Sequence, residues 1–155
     1  METWDAIRAS RNVRAYRPDP VAASDLDRIT EAGRRAPSAS NRQHWDFIVV
    51  TERDQLRALS TVWRGAGHIA GAAAAIALVM PRAEDDRTRL LDYYDLGQAT
   101  YAMAVAAADL GIGTGHSVPA MARRAHPSTA SRLMRHRPSA ASSSRRIPAA
   151  RTCRW

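Results

Sequence analysis

Along the first three quarters of the chain, apolar residues recur at helical spacing, condense into two short runs, and then return to helical spacing in one long segment. Trp4 and Ile7, with Arg8 beside them, predict a short first helix. Asn12 to Arg17 reads as an extended lead-in to Pro18, because a residue before proline is driven away from helical torsions. Leu26, Ile29 and Ala32 share one face of a helix running to Arg35. Ser24 is its expected N-cap, and Asp25 and Asp27 sit in the first turn, where the helix dipole favours negative charge. Pro37 ends that helix.

Phe47 to Thr51 is β-branched and predicts a buried strand, followed by a helix from Asp54 to about Trp63. Residues 67–74 predict a further helix and Ala75 to Met80 a second strand. Leu90 to Leu110 is the longest helix, carrying Leu91, Tyr94, Ala99, Tyr101, Met103, Val105 and Ala106, with Gly111 as its stop. Its many alanines leave room for another helix to approach closely. Helices interleaved with few strands place the chain in the α+β or α/β class.

From about Pro119 both periods vanish. Arg, Ala, Ser and Pro supply 27 of the 37 residues from 119 on, too little apolar surface to offset chain entropy. The expected organisation is therefore a folded unit over 1–118 and a tail over 119–155 that is disordered or poorly packed.

That division changes the meaning of the charge. The whole chain of 155 residues carries +8, which suggests a nucleic acid or a membrane surface as partner. Residues 1–118, however, hold 14 arginines and all 15 acids, whereas 119–155 hold 9 arginines and no acid. The basicity belongs to the tail, and the folded part lacks the aromatic and basic interleaving of a nucleic-acid binder. Hydrophobic content of 45% fits a globular domain, and one cysteine, Cys153, excludes an internal disulfide and a cysteine metal cluster. The run from Ile69 to Met80 is too short for the roughly 18 apolar residues of a membrane span, and METWDAIRAS lacks a signal-peptide layout. The expected location is the cytoplasm.

Three stretches could carry chemistry, and each has a plain alternative. In Ser10 to Tyr16, SRNVRAY, Arg11 and Arg14 flank Asn12 and could grip a phosphate through charge-assisted hydrogen bonds, or could be solvated arginines near a helix C-terminus. In PSASNRQHW, Pro37 to Trp45, serine, asparagine and free backbone amides could face the polar edge of a planar heterocycle, or could satisfy one another. In LGIGTGHSV, Leu110 to Val118, Gly111, Gly113 and Gly115 could admit a ligand to the backbone. That turn follows a helix, unlike a dinucleotide fingerprint, which follows a strand. His44, His68, His116, His126 and His136 form no ligand-spaced pair, so no metal site is expected. Glu84, Asp85 and Asp86 read as a solvated helix start, and Ser117 lacks a nucleophile-elbow context.

Taken in order, R-N-V-R-A-Y-R-P-D-P-V, A-P-S-A-S-N-R-Q-x-W-D-F and D-x-G-Q-A with an alanine-rich helix ending L-G-I-G-T-G resemble the nitroreductase family of FMN-dependent oxidoreductases, over about Trp4 to Ser117. The resemblance implies an α+β, nitroreductase-like fold with a central, mainly antiparallel sheet flanked by helices. It implies FMN at a homodimer interface, with Arg11, Asn12 and Arg14 as the phosphate and ring-edge group and Pro37, Ser38, Ala39, Asn41 and Gln43 as the loop packed on the flavin. Gly115, His116 and Ser117 belong to the segment facing the reactive flavin nitrogen. Chemistry in such a site is the cofactor's, so no catalytic side chain is expected. The implied activity is ping-pong transfer of electrons from NAD(P)H to a nitroaromatic, quinone or similar small acceptor, with no membrane and no nucleic acid involved.

The sequence departs from the family at Ser10, where relatives carry a second arginine, and at His44, where proline is usual. It departs most after residue 118, where the family's further strand, Gly-Tyr-Pro stretch and C-terminal clasp are not visible. A shifted reading frame would account for this: Arg146-Ile147-Pro148 can be encoded by CGG-ATA-CCC, which read one base later before a G gives Gly-Tyr-Pro. Two other expectations follow from the tail, an inactive flavin-binding remnant of the family and a basic protein that holds anionic partners through residues 119–155.

Overall fold

The computed structural model describes residues 1–118 and the backbone of 145–148. Helix α1 spans Thr3–Ala9 and α2 spans Ala23–Arg34, the latter burying Leu26, Ile29, Thr30 and Gly33 on one face. Ser24 does not cap α2. The helix begins one residue earlier, at Ala23, and its N-cap Ala22 makes no side-chain hydrogen bond. Burial of Leu26 and Ile29 fixes where the chain turns helical, and Ser24 falls inside the first turn.

Strand β1, Asp46–Val50, lies in the middle of an antiparallel sheet ordered β2-β1-β3, with β2 spanning Ala75–Val79 and β3 Arg145–Pro148. Ile48 stands opposite Ala77 on one side, and Phe47 opposite Ile147 on the other. Phe47, Val49 and Val50 of β1 are buried, Phe47 in the core that the helices cover. Strand β3 falls within the stretch that carries no apolar period. It is recruited through backbone pairing with β1, an ordering force that side-chain periodicity does not report. The expectations for the rest of 119–155, His126 and His136 included, lie outside the described residues.

Helix α3 covers Arg53–Ser60. The helix expected over 67–74 is instead a 3₁₀ segment, Arg64–Gly71. Gly65, Gly67 and Gly71 give that stretch little α-helical propensity, and the tighter turn prevails. Helix α4 runs from Asp86 to Asp109 and starts a turn earlier than the apolar pattern alone suggests. Its start is set by Asp85, whose carboxylate accepts the Thr88 amide at 2.9 Å and the Thr88 hydroxyl at 2.7 Å.

Helices α2 and α4 pack closely because neither presents bulk at the crossing. A side chain on Gly33 would meet Met103 Cγ at 2.8 Å, and Ala99 and Ala107 of α4 are fully buried. Around this crossing lies the core of Ile29, Ala36, Trp45, Phe47, Ala99, Met103 and Ala107. The rings of Trp45 and Phe47 stack at a centroid separation of 6.4 Å, and Leu110 and Ile112 pack against the same cluster from the far end of α4. Two loops leave this core: one between Ala36 and Trp45, the other just after Ile112.

Candidate functional site

The first loop has an irregular backbone for a sequence that is not glycine-rich. Ser40, Asn41 and Gln43 take φ of 53°, 52° and 48°, the left-handed region that side chains disfavour. Such torsions persist only where surroundings over-determine them. Here two carboxylates on successive turns of α4 do so. Asp95 accepts the Ala39 amide at 2.9 Å, and Asp92 accepts Arg42 Nη2 at 3.1 Å with His44 Nδ1 at 3.4 Å. Both acids are only 4% exposed. Within the loop, the Gln43 amide donates to Ser38 Oγ at 3.0 Å and Gln43 Nε2 to Asn41 Oδ1 at 3.1 Å. Gln98 Nε2 reaches the Pro37 carbonyl at 3.5 Å. His44, in place of a proline, thus joins the Asp92 group, and the turn is closed by the Trp45 amide donating to the Gln43 carbonyl at 2.8 Å.

The second loop is gathered from three separate parts of the chain. The Val13 amide donates to the Thr114 carbonyl at 2.7 Å, forming a parallel bridge between residues 12 and 114. Asn12 Oδ1 accepts the His116 amide at 3.0 Å, and Arg14 Nη1 donates to the His116 carbonyl at 2.5 Å. Ser117 Oγ accepts the Trp63 indole N–H at 2.8 Å. The glycines serve this closure as well as any ligand: Gly111 has φ of 74°, and a side chain on Gly115 would stand 2.3 Å from both the Val13 carbonyl and the Tyr16 hydroxyl.

Beneath the turn, His68 of the 3₁₀ segment joins Tyr16 and Arg14. Its Nδ1 lies 2.8 Å from the Tyr16 hydroxyl, and its Nε2 contacts Arg14 Nη1. Burial, with the Arg14 charge as the smaller cause, holds the imidazole below its ordinary range. Burial likewise raises the Tyr16 phenol, against a smaller lowering by Arg14.

The structure therefore gathers Asn12, Arg14, Gly115, His116 and Ser117 at one junction, and seats Pro37, Ser38, Ala39, Asn41 and Gln43 in a loop held on α4. Arg11 Nη1 donates to the Arg8 carbonyl at 2.7 Å, at the end of α1. Sequence reasoning missed Tyr16, Trp63, His68, Asp92 and Asp95 as members of the site. Asp95 stands in the D-x-G-Q-A stretch, but neither acid carries a local sign of its burial, and His68 carries none of its contacts. Among the described residues, no group of three His, Cys, Asp or Glu side chains could hold a metal ion. Among the described residues, no helix is long and apolar enough to cross a membrane.

The Nitroreductase family model matches residues 7–64. An Archaeoglobus fulgidus protein named for NADH dehydrogenase and NAD(P)H nitroreductase activity is 32% identical over 113 residues, 73% of this chain and 65% of its own. An NADH dehydrogenase of Thermus thermophilus is 41% identical over 69 residues, covering 44% of this chain and 34% of its own. The chain thus spans less than two thirds of the length of these relatives. Among solved structures, an FMN-dependent nitroreductase from Clostridium difficile superposes with a TM-score of 0.63 at 27% identity, over 71% of this chain and 62% of that one. A nitroreductase-type protein from Desulfovibrio desulfuricans, solved in complex with FMN, gives 0.63 at 28% identity, over 73% and 66%. The α+β arrangement described above is the nitroreductase fold.

Proposed function

On the match of the Nitroreductase family model to residues 7–64 and the likeness to an NAD(P)H nitroreductase, we propose that the chain is a member of that family, that its two loops hold FMN and that it acts as an NAD(P)H-dependent oxidoreductase. The observation that carries this reading is the convergence of two donor-bearing loops on one core, where Ala36 and Trp45 bracket the first and Ile112 leads into the second. The residues fit such a cofactor. With Oδ1 accepting the His116 amide, the exposed Asn12 keeps an NH₂ donor. Arg14 spends one nitrogen on His116 and His68, and a guanidinium has five N–H donors in all. These donors suit the acceptor edge of an isoalloxazine or a phosphate. Ser38, Asn41 and Gln43 brace the first loop with their own hydrogen bonds, so that its backbone presents a fixed surface.

FMN, when bound, accepts hydride from NAD(P)H and returns electrons to an acceptor. The chain's own part is to bind, orient and shield. Residues 37–43 and 113–117 are the proposed flavin-facing segments, with Asn12 and Arg14 bonded to the second, and Arg11 is a phosphate ligand only if it leaves the Arg8 carbonyl. One open face serving donor and acceptor in turn gives ping-pong kinetics, and a nitroaromatic or quinone is the acceptor class. A homodimer is supported by the outer face of α4. Leu90, Tyr94 and Tyr101 recur there at helical spacing and are 65%, 69% and 53% exposed, beside Trp4 at 66%. The proposed location is the cytoplasm.

The test is to add FMN to the purified chain, remove the excess by gel filtration, and record visible absorbance anaerobically before and after NADH and NADPH. A yellow peak of dimer size that bleaches supports the reading. A colourless peak refutes flavin binding by this chain, and a yellow peak that does not bleach refutes the oxidoreductase activity.

A further inference from the structure

His68 has no part in the flavin reading, yet both of its ring nitrogens are engaged. A guanidinium can only donate, so Nε2, facing Arg14, must accept. The ring is then neutral and its proton sits on Nδ1. That proton points to the Tyr16 oxygen at 2.8 Å, which leaves the phenol proton free for the Val13 carbonyl at 3.2 Å. One assignment of protons satisfies all four groups. The rings of Tyr16 and His68 lie 5.9 Å apart at a tilt of 37°, and Gly115, with no side chain, leaves the space in which they meet.

We propose that His68 is a positioning residue for Arg14: as the neutral Nδ1–H imidazole it holds the guanidinium against the His116 carbonyl, and its protonation releases Arg14 from the glycine turn. Protonation removes the acceptor and sets a second cation beside the first. The groups facing this network are Arg14 and Tyr16 from the first segment and His116 from the glycine turn. On the far side, Arg53 of α3 donates to the Ala72 carbonyl at 2.9 Å, where the His68 segment ends. The arginines stay charged while His68 gains a charge as pH falls, so acidification loosens the junction. Its consequence for FMN rests on the proposed function; the proton arrangement does not.

Two measurements test it separately. Nitrogen-detected NMR of the cofactor-free chain reads the His68 tautomer and titration directly: Nδ1–H, titrating below the ordinary 6.5, is expected. An Nε2–H tautomer, or an ordinary titration, overturns the proposal whether or not FMN binds. FMN affinity, followed by quenching of flavin fluorescence from pH 8 to 5, reads the consequence. Affinity is expected to fall about tenfold as His68 protonates, the loss of a charge-assisted hydrogen bond. His68→Gln keeps an acceptor for Arg14 and should flatten that step while retaining affinity within about threefold, whereas His68→Phe keeps the ring volume and should lose about tenfold already at pH 8. An unchanged step in His68→Gln, or full affinity in His68→Phe, overturns the proposal. Absence of any FMN binding refutes the proposed function instead, and the NMR result then decides His68 alone.

Discussion

The loop of residues 37–43 is tied to one rigid helix by two buried acids, Asp92 and Asp95, and keeps three left-handed residues in place. The turn of residues 113–117 rests on no single element. It is assembled from residues 12–16, 63–68 and the end of α4, through hydrogen bonds whose partners are largely exposed or half-buried. Both leave the same core, so the difference lies in what fixes them. A buried acceptor is costly to disturb; an exposed network is cheap to rearrange and open to pH. The first loop is a platform and the second an adjustable rim.

Breaking the platform should have the largest effect. Asp95→Ala leaves the Ala39 amide without its acceptor and empties a buried site, and about 2 to 3 kcal/mol of stability should be lost in urea unfolding. Asp95→Asn keeps an acceptor and should recover much of that. Gly115→Ala strikes the rim at its tightest point, because the added carbon meets the Val13 carbonyl backbone; about 2 kcal/mol is expected, the scale of overpacking. If Gly115→Ala costs more than Asp95→Ala, the contrast between the two regions is wrong.

Ser117→Ala removes the acceptor of the Trp63 indole and should cost about 1 kcal/mol, with a change in tryptophan emission as the readout. The smallest effect concerns neither loop. Glu31 is held at about 2, from the usual 4.5, chiefly by its Arg34 hydrogen bond and then by Arg35. A depressed carboxylate stabilises the fold above its unfolded value, so this contribution should be complete above 4.5 and lost as pH falls toward 2. Its carboxylate is 43% exposed, so solvent screening limits the loss in Glu31→Gln to about 0.5 kcal/mol.

The same contrast decided what the sequence could disclose. Proline, serine and asparagine between Arg35 and Trp45 carry turn chemistry that is readable one residue at a time, and the first loop was visible from them. Its anchors were not. Acids on a helix ordinarily mean a solvated face, and only the packing of α2 and the loop over α4 buries Asp92 and Asp95. In the second region, Arg14 and His68 lie 54 positions apart and Arg14 and His116 lie 102 apart, separations that no local pattern reports. Helices α2 and α4 were legible from apolar residues at helical spacing, and strands β1 and β2 from short continuous apolar runs. Strand β3 was not, since it is held by β1's backbone and not by a pattern of its own.

The most direct test of the account is hydrogen–deuterium exchange of the chain with and without FMN, read over residues 37–43 and 113–117. One flavin contacting both loops predicts that both segments gain protection together, with the larger gain in 113–117, the segment held by exposed and half-buried contacts. Protection of one segment alone, or of neither, would contradict the claim that the platform and the rim form a single site.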